Sequence, residues 1–201
     1  MRITGGTARG IPLNIPARGE IRPATDYIRE AVFSSLGDLP EDARVLDCFA
    51  GTGAYALEAM SRGARSAHFC DQNPAAATIQ KKNFAALKKS LESAGANVPE
   101  TEFLRCDLLK TETFPPKNFP LFDLIFCDPP WALWENPATA RLVEKLAANS
   151  IDPATPWARI ILESPTAFEP AVPAGWEIAK RICKKGKDQP AATILKKSFP
   201  G

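Results

Sequence analysis

Short apolar runs alternate with longer stretches of helical periodicity along most of this chain. Residues 44–48, 66–70, 102–105, 122–127, 159–162, 176–179 and 193–195 are apolar, rich in β-formers, and predict strands. The helices between them announce their ends. Asn73 is a good N-cap with Pro74 at the first helical position, and residues 75–94 run on until Gly95 stops them. Asn136-Pro137 repeats that start ahead of Leu142, Val143 and Leu146. Thr25 or Asp26 caps a segment whose Ile28, Ala31, Val32, Ser35 and Leu36 make one stripe, ended by Gly37. Strand, helix, strand in repetition predicts an α/β fold with a mainly parallel sheet and helices on both faces. The opening differs in kind: Gly5-Gly6 between Arg2-Ile3-Thr4 and Ile11-Pro12-Leu13 predicts a small hairpin or extended arm, with Pro12, Pro16 and Pro23 limiting its regular structure. The chain thus divides into an N-terminal extension, residues 1–24, and a main domain, residues 25–201.

Composition narrows the class. At 201 residues with 45% hydrophobic and 24% charged residues, the chain buries a real core, which excludes wholesale disorder and fibrous repeats. No apolar run is long enough to span a membrane and the N-terminus lacks a secretion signal's apolar centre, so a cytoplasmic location is expected. Five cysteines without close CxxC spacing predict free thiols and no metal. The single histidine, His68, lies in a strand-like run and reads as a packed side chain. The net charge of +2 hides a split: the first thirty residues and the last twenty-five are basic, and the middle is acidic. Lys180, Arg181, Lys184, Lys185, Lys187, Lys196 and Lys197 form a basic C-terminal stretch, suited to phosphates or simply to solvent.

Chemistry concentrates where the first central strand ends. Asp47-Cys48-Phe49-Ala50-Gly51-Thr52-Gly53 joins that strand to a helix, and Gly51 and Gly53 let a ligand approach backbone N–H groups. Alone, such a loop is also a tight turn without a ligand. It has partners, however. Asp71 ends the next strand, where a carboxylate accepts hydrogen bonds from ribose hydroxyls, and Asp107 ends the third. Three acids on one sheet edge, with Ala54, Tyr55 and Ala56 where a dinucleotide fingerprint needs its third glycine, favour a cationic ligand lacking phosphates. S-adenosylmethionine has that charge.

The fourth strand ends in Asp128-Pro129-Pro130-Trp131. Consecutive prolines leave the sheet stiffly, fixing a carboxylate, a carbonyl and a flat aromatic ring beside the ligand edge. Such a corner accepts hydrogens from an exocyclic amine and stacks the ring that bears it. The alternatives are a capping Asp128 and a core Trp131, with Trp134 close behind.

With these motifs the chain resembles the class I S-adenosylmethionine-dependent methyltransferases, and among them the bacterial 16S ribosomal RNA guanine-N2 methyltransferase family. The resemblance runs from Met1-Arg2-Ile3, Gly5-Gly6 and Arg9-Gly10 through Arg22-Pro23-Ala24-Thr25-Asp26 and Arg29-Glu30-Ala31-Val32-Phe33 to the glycine loop, Leu57-Glu58-Ala59 and Asp128-Pro129-Pro130-Trp131. It implies a Rossmann-like, seven-stranded sheet with an antiparallel last strand, and an extension that helps hold RNA. Asp47, Phe49, Ala50, Gly51, Thr52 and Gly53 would line the methionine end of the cofactor, Asp71 the ribose and Asp107 the adenine amine. Asp128, Pro129, Pro130 and Trp131 would hold the target base. Arg2, Arg9, Arg22, Arg29, Lys184, Lys185 and Lys187 are the expected RNA contacts. The implied partner is 16S ribosomal RNA, naked or in an assembling small subunit, met by a monomer with no membrane or metal involved. Rival readings are an adenine-N6 methyltransferase on DNA or RNA, a non-catalytic RNA-binding assembly factor, and a hydride-transferring dehydrogenase.

Overall fold

The computed structural model describes residues 1–15, 26–110, 112, 114–116, 119–184, 186 and 189–198. Arg22, Thr25, Lys185 and Lys187 lie outside the described residues. Helix α1 (Asp26–Leu36) is followed by β1 (Arg44–Cys48), α2 (Ala54–Ser61), β2 (Ser66–Asp71), α3 (Pro74–Ser93), β3 (Glu100–Arg105) and β4 (Leu124–Cys127). A short 3₁₀ turn (Trp131–Leu133) leads to α4 (Pro137–Asn149), and the chain closes with β5 (Arg159–Pro165), β6 (Trp176–Cys183) and β7 (Pro190–Lys197).

The sheet order is β3-β2-β1-β4-β5-β7-β6, with β1 to β5 parallel and β7 antiparallel between β5 and β6. Alternate residues of each strand serve opposite faces. Val45, Phe69, Leu124 and Phe126 pack with α1, α2 and α3, while Leu46, Cys70, Ile125 and Cys127 pack with Leu142, Val143 and Leu146 of α4. Phe33, Tyr55 and Phe126 stack in the first layer, and such a buried ring contributes about 1.5–3 kcal/mol. Outer strand β6 is lined by exposed Glu177 and Lys180, charges that discourage another strand from adding there.

The caps form as the residue types dictate: Asn73 Oδ1 accepts the Ala75 N–H at 2.9 Å and Asn136 Oδ1 accepts that of Ala138 at 2.9 Å. The predicted fourth strand starts two residues too early. Asp123 turns its carboxylate to the Arg44 N–H at 2.8 Å and guanidinium Nη2 at 2.8 Å, and Phe122 makes only an isolated bridge to Ile151.

Residues 1–13 form a hairpin, with the Ile3 N–H donating to Ile11 at 2.9 Å and that of Leu13 to Met1 at 3.1 Å. Ile3, Ala8 and Leu13 are buried in the α1–α2 layer. Gly6, at φ 73°, passes so close to α2 that a Cβ there would lie 1.9 Å from the Ser61 carbonyl oxygen. The Ser61 hydroxyl ties the hairpin down, accepting from the Ala8 N–H at 2.9 Å and donating to the Gly5 carbonyl at 2.7 Å.

Candidate active site

Strand order reverses between β1 and β4, because the chain leaves β1 toward β2 on one side and β4 toward β5 on the other. Open α/β sheets bind ligands in the crevice at such a point. Both signature segments open there: the glycine loop follows β1 and the acid-proline-proline-indole corner follows β4. The Asp128 N–H donates to the Cys48 carbonyl at 3.3 Å, which joins the two segments at their roots.

The loop is held in an unusual shape. Phe49 (φ 59°), Gly51 (φ 52°) and Gly53 (φ 79°) adopt left-handed backbone at alternate positions. A Cβ on Gly53 would lie 2.7 Å from the Phe69 ring, so this residue must be glycine. For Phe49 the conformation costs energy, and strained backbone of this kind gathers at functional sites. Asp71, half-buried at the end of β2, receives the Gly51 N–H at 2.8 Å and the Asn73 N–H at 2.8 Å. Its remaining lone pairs are available to hydroxyls. Asp107 is half-buried two residues beyond β3, accepting the Leu109 N–H at 3.1 Å, with Lys110 Nζ 3.9 Å away. Asp107, Asp71 and Asp128 therefore follow one another along the same rim. Half-buried carboxylates in a row suit a ligand bearing positive charge and hydroxyls, and oppose a pyrophosphate.

Asp47 behaves differently from the rim acids. It is 2% exposed, and its Oδ2 receives the Ala56 N–H of α2 at 3.1 Å. Burial pushes its carboxyl up to about 8, partly offset by that hydrogen bond. The folded chain thus keeps a proton on Asp47 where the unfolded chain has lost it. That stabilisation is whole below pH 4, is lost as pH rises from about 4 to about 8, and changes no further above. Asp47→Asn should remove the dependence: urea unfolding at pH 5 and pH 8 is expected to show the wild type losing on the order of a few kcal/mol more than the variant over that interval.

In the corner, Pro129 is buried, Pro130 exposed, and Asp128 and Trp131 half-buried. Trp134 is the core residue of the pair, 6% exposed, with its indole N–H donating to the Glu163 carbonyl at 2.9 Å and its ring 5.4 Å from that of Phe168. Trp131, by contrast, is not sealed inside the core. The buried Tyr55 hydroxyl donates to Glu163 Oε2 at 2.6 Å.

Two further groups belong to the site. Gln80 and Asn83 of α3 are buried, and their amides donate to the carbonyls of Gly51 at 3.1 Å and Thr52 at 3.0 Å. They occupy a stripe, Ala76, Gln80, Asn83, Leu87 and Leu91, that is otherwise apolar. Amides in the middle of an apolar stripe were the available signal, since a buried amide needs a partner.

Among the expected RNA contacts, Arg2 and Arg9 are exposed on the hairpin and flank a cavity of about 150 Å³ with Asp26 and Glu30, and Lys184 is exposed after β6. Arg29 is not available to RNA. It is fully buried, with Nε 3.4 Å from Glu58, Nη2 2.8 Å from Asp26 and a further bond to the Arg2 carbonyl. Its position on the inner face of α1 directs it to the carboxylate of α2. The C-terminal basic stretch is also partly spent. Lys197 Nζ donates to the carbonyls of Asp152 and Thr155, Arg181 to those of Thr166 and Phe168, and Lys196 pairs with Glu177. His68 packs edge-on against Phe119 and Phe122 with its Nε2 2.9 Å from Glu102. All five cysteines are free. Among the described residues, no three His, Cys, Asp or Glu side chains gather to hold a metal, and no helix is long and apolar enough to cross a membrane.

A family model described as conserved hypothetical protein 95 matches residues 1–189. The chain is 34% identical over 182 residues to a ribosomal RNA small subunit methyltransferase D of Escherichia coli, covering 89% of this chain and 82% of that one. A protein of the same name from Buchnera aphidicola is 30% identical over 186 residues, covering 89% and 85%. Among solved structures, a putative methyltransferase from Escherichia coli superposes with a TM-score of 0.73 at 30% identity over 98% of both chains. A putative methylase from Haemophilus influenzae gives 0.69 at 26% identity, again over 98% of both.

Proposed function

The chain belongs to the conserved hypothetical protein 95 family, and from that premise we propose that it is an S-adenosylmethionine-dependent methyltransferase acting on the exocyclic N2 amine of a guanine in 16S ribosomal RNA. Methylation of small-subunit ribosomal RNA is the activity in the names of its relatives. The observation that carries the reading is the placement of the Asp128 corner directly across the strand-order reversal from the glycine loop.

The residues present fit the cofactor. Asp71 is set to receive ribose hydroxyls, Asp107 the adenine amine, and the Phe49–Gly53 loop the methionine end; Asp47 acts by holding the start of α2. When bound, the cofactor supplies an electrophilic methyl group. The amine is a poor nucleophile because its lone pair is delocalised into the ring. Asp128 and the Pro129 carbonyl accept its two hydrogens, favour the pyramidal form and aim the lone pair, while Trp131 stacks the flipped base. Charge developing on the attacking nitrogen is met by the Asp128 carboxylate.

Two measurements test the reading. Calorimetric titration with S-adenosylmethionine should give one site per chain; absence of heat would favour a non-catalytic assembly factor. Mass spectrometry of digested ribosomal RNA from cells lacking the protein should show N2-methylguanosine reduced in 16S RNA. Loss of an N6-methyladenosine instead would move the target to adenine.

Arg2, Arg9 and Lys184 are the cations positioned for RNA phosphates. Replacing Arg2 or Arg9 by alanine should lower the slope of log affinity against log salt by about 0.7–0.9 for each phosphate the side chain neutralises. Filter binding between 50 and 200 mM salt, a range over which such charge pairs change affinity strongly, reads it; an unchanged slope removes that residue from the interface.

A further inference from the structure

We infer that Asn83 couples RNA binding by the N-terminal segment to cofactor binding by the glycine loop. The coupling rests on the function proposed above; the hydrogen-bond link itself does not. Asn83 Oδ1 receives both the backbone N–H of Asn14 at 2.7 Å and its side-chain amide at 2.9 Å. Its own amide donates to the Asn14 carbonyl at 3.2 Å and to the Thr52 carbonyl at 3.0 Å. One fully buried side chain therefore grips the end of the N-terminal hairpin segment with one part of its amide and the centre of the cofactor loop with another.

Three features make this more than a packing contact. Asn14 is exposed and beyond the last hairpin bond, so the end of the hairpin is tied to α3 through Asn83. The loop it reaches is the one whose backbone is strained at Phe49 and left-handed at Gly51 and Gly53 on either side of Thr52. Gln80, one turn away, holds the adjoining Gly51 carbonyl at 3.1 Å, so the loop has a fixed footing on α3 and Asn83 is the part of it shared with the N-terminal segment. An amide cannot rotate to improve one set of these bonds without weakening the other. RNA bound to the hairpin thereby holds the Asn83 amide in the orientation that fixes Thr52. By reciprocity, a cofactor that fixes Thr52 favours the RNA-bound segment. Asn83 is a positioning residue in this scheme, touching neither ligand.

The test is a thermodynamic cycle. The affinity of transcribed 16S ribosomal RNA is measured with and without saturating S-adenosylhomocysteine, in the wild type, in Asn83→Ala and in Asn14→Pro. The last variant removes both Asn14 donors by a change at an exposed position and keeps the carbonyl there and the Asn83 side chain in place. The wild type should bind RNA about fivefold or more tightly with the nucleoside present. In both variants the ratio should fall to about one, while each ligand still binds alone; simple destabilisation would weaken both affinities without changing their ratio. A wild-type ratio of one, or a ratio retained in the variants, overturns the coupling. Amide hydrogen exchange of the ligand-free protein separates the link from the function. Asn14→Pro should speed exchange at Gly51 and Gly53, and unchanged exchange overturns the link itself. Faster exchange in a protein that binds neither RNA nor nucleoside would sustain the link and reject the proposed function instead.

Discussion

Asp128→Ala is expected to lower methyl transfer to 16S ribosomal RNA by about 10²–10³-fold while leaving S-adenosylmethionine affinity within a few-fold. The separation follows from where Asp128 lies. It leaves β4 on the far side of the crevice from Asp71 and Asp107, and its backbone is anchored independently through the Cys48 carbonyl. In the proposed role, truncating its side chain removes an acceptor and a charge from the amine, while Asp71 and Asp107 keep their own backbone donors. Asp128→Asn keeps an oxygen acceptor without the charge, so it should recover part of the rate, and the gap between the two variants measures the electrostatic share. Trp131→Phe retains a stacking face and should cost little. Trp131→Ala should lose about 1–3 kcal/mol, read as a raised KM for RNA. Transfer of label from radioactive cofactor and calorimetry on the same preparations are the measurements; an equal fall in rate and cofactor affinity for Asp128→Ala would place that residue in the cofactor pocket.

The sheet, the caps and the rim could be read from the chain because each depends on local pattern. Alternation in Val45-Leu46 and its neighbours sets both faces of the sheet, and Asn73-Pro74 and Asn136-Pro137 fix helix starts within one turn. Asp71 and Asp128 fall at strand ends, and strand ends in a parallel sheet share an edge. What could not be read depends on partners distant in sequence. A lysine that donates to three carbonyls, as Lys197 does, is indistinguishable in sequence from one that waits for a phosphate. Phe49 is among the residues expected beside the cofactor, but its left-handed backbone, in a loop that closes on Asp71 across twenty residues, has no local signal. Gln80 and Asn83 left a trace in the stripe of α3, yet the carbonyls they serve belong to another element.

The largest effect on stability is expected from Glu58→Ala, at about 3–5 kcal/mol. Glu58 is fully buried and its two oxygens meet four groups: the Thr4 N–H at 2.7 Å, the Thr4 hydroxyl at 2.8 Å, Arg62 Nε at 3.0 Å and Arg29 Nε at 3.4 Å. Two of those belong to the N-terminal hairpin, one to α1 and one to the end of α2, so a single carboxylate gathers three elements. Among the described residues, removing it leaves the buried Arg29 guanidinium with Asp26, 40% exposed, as its counter-charge. The penalty is the cost of leaving that buried cation with one half-exposed counter-charge and the Thr4 donors without their acceptor, rather than the net worth of the pair, because desolvation already consumes most of what the pair gains. Arg29→Met should therefore be milder than Glu58→Ala if Glu58 can still be satisfied by Thr4 and Arg62, and the double variant Glu58→Leu with Arg29→Met should recover part of the loss. In a chain of this size each kcal/mol moves the midpoint by about 2–4 °C, so calorimetry should find Glu58→Ala melting roughly 10 °C lower. The same substitution frees the hairpin that carries Arg2 and Arg9, and RNA affinity should fall with it even at temperatures where the sheet remains folded. A Glu58→Ala protein with an unchanged melting point would mean that Ile3, Ala8 and Leu13, with the bonds to Ser61 and Asn83, hold the hairpin without it.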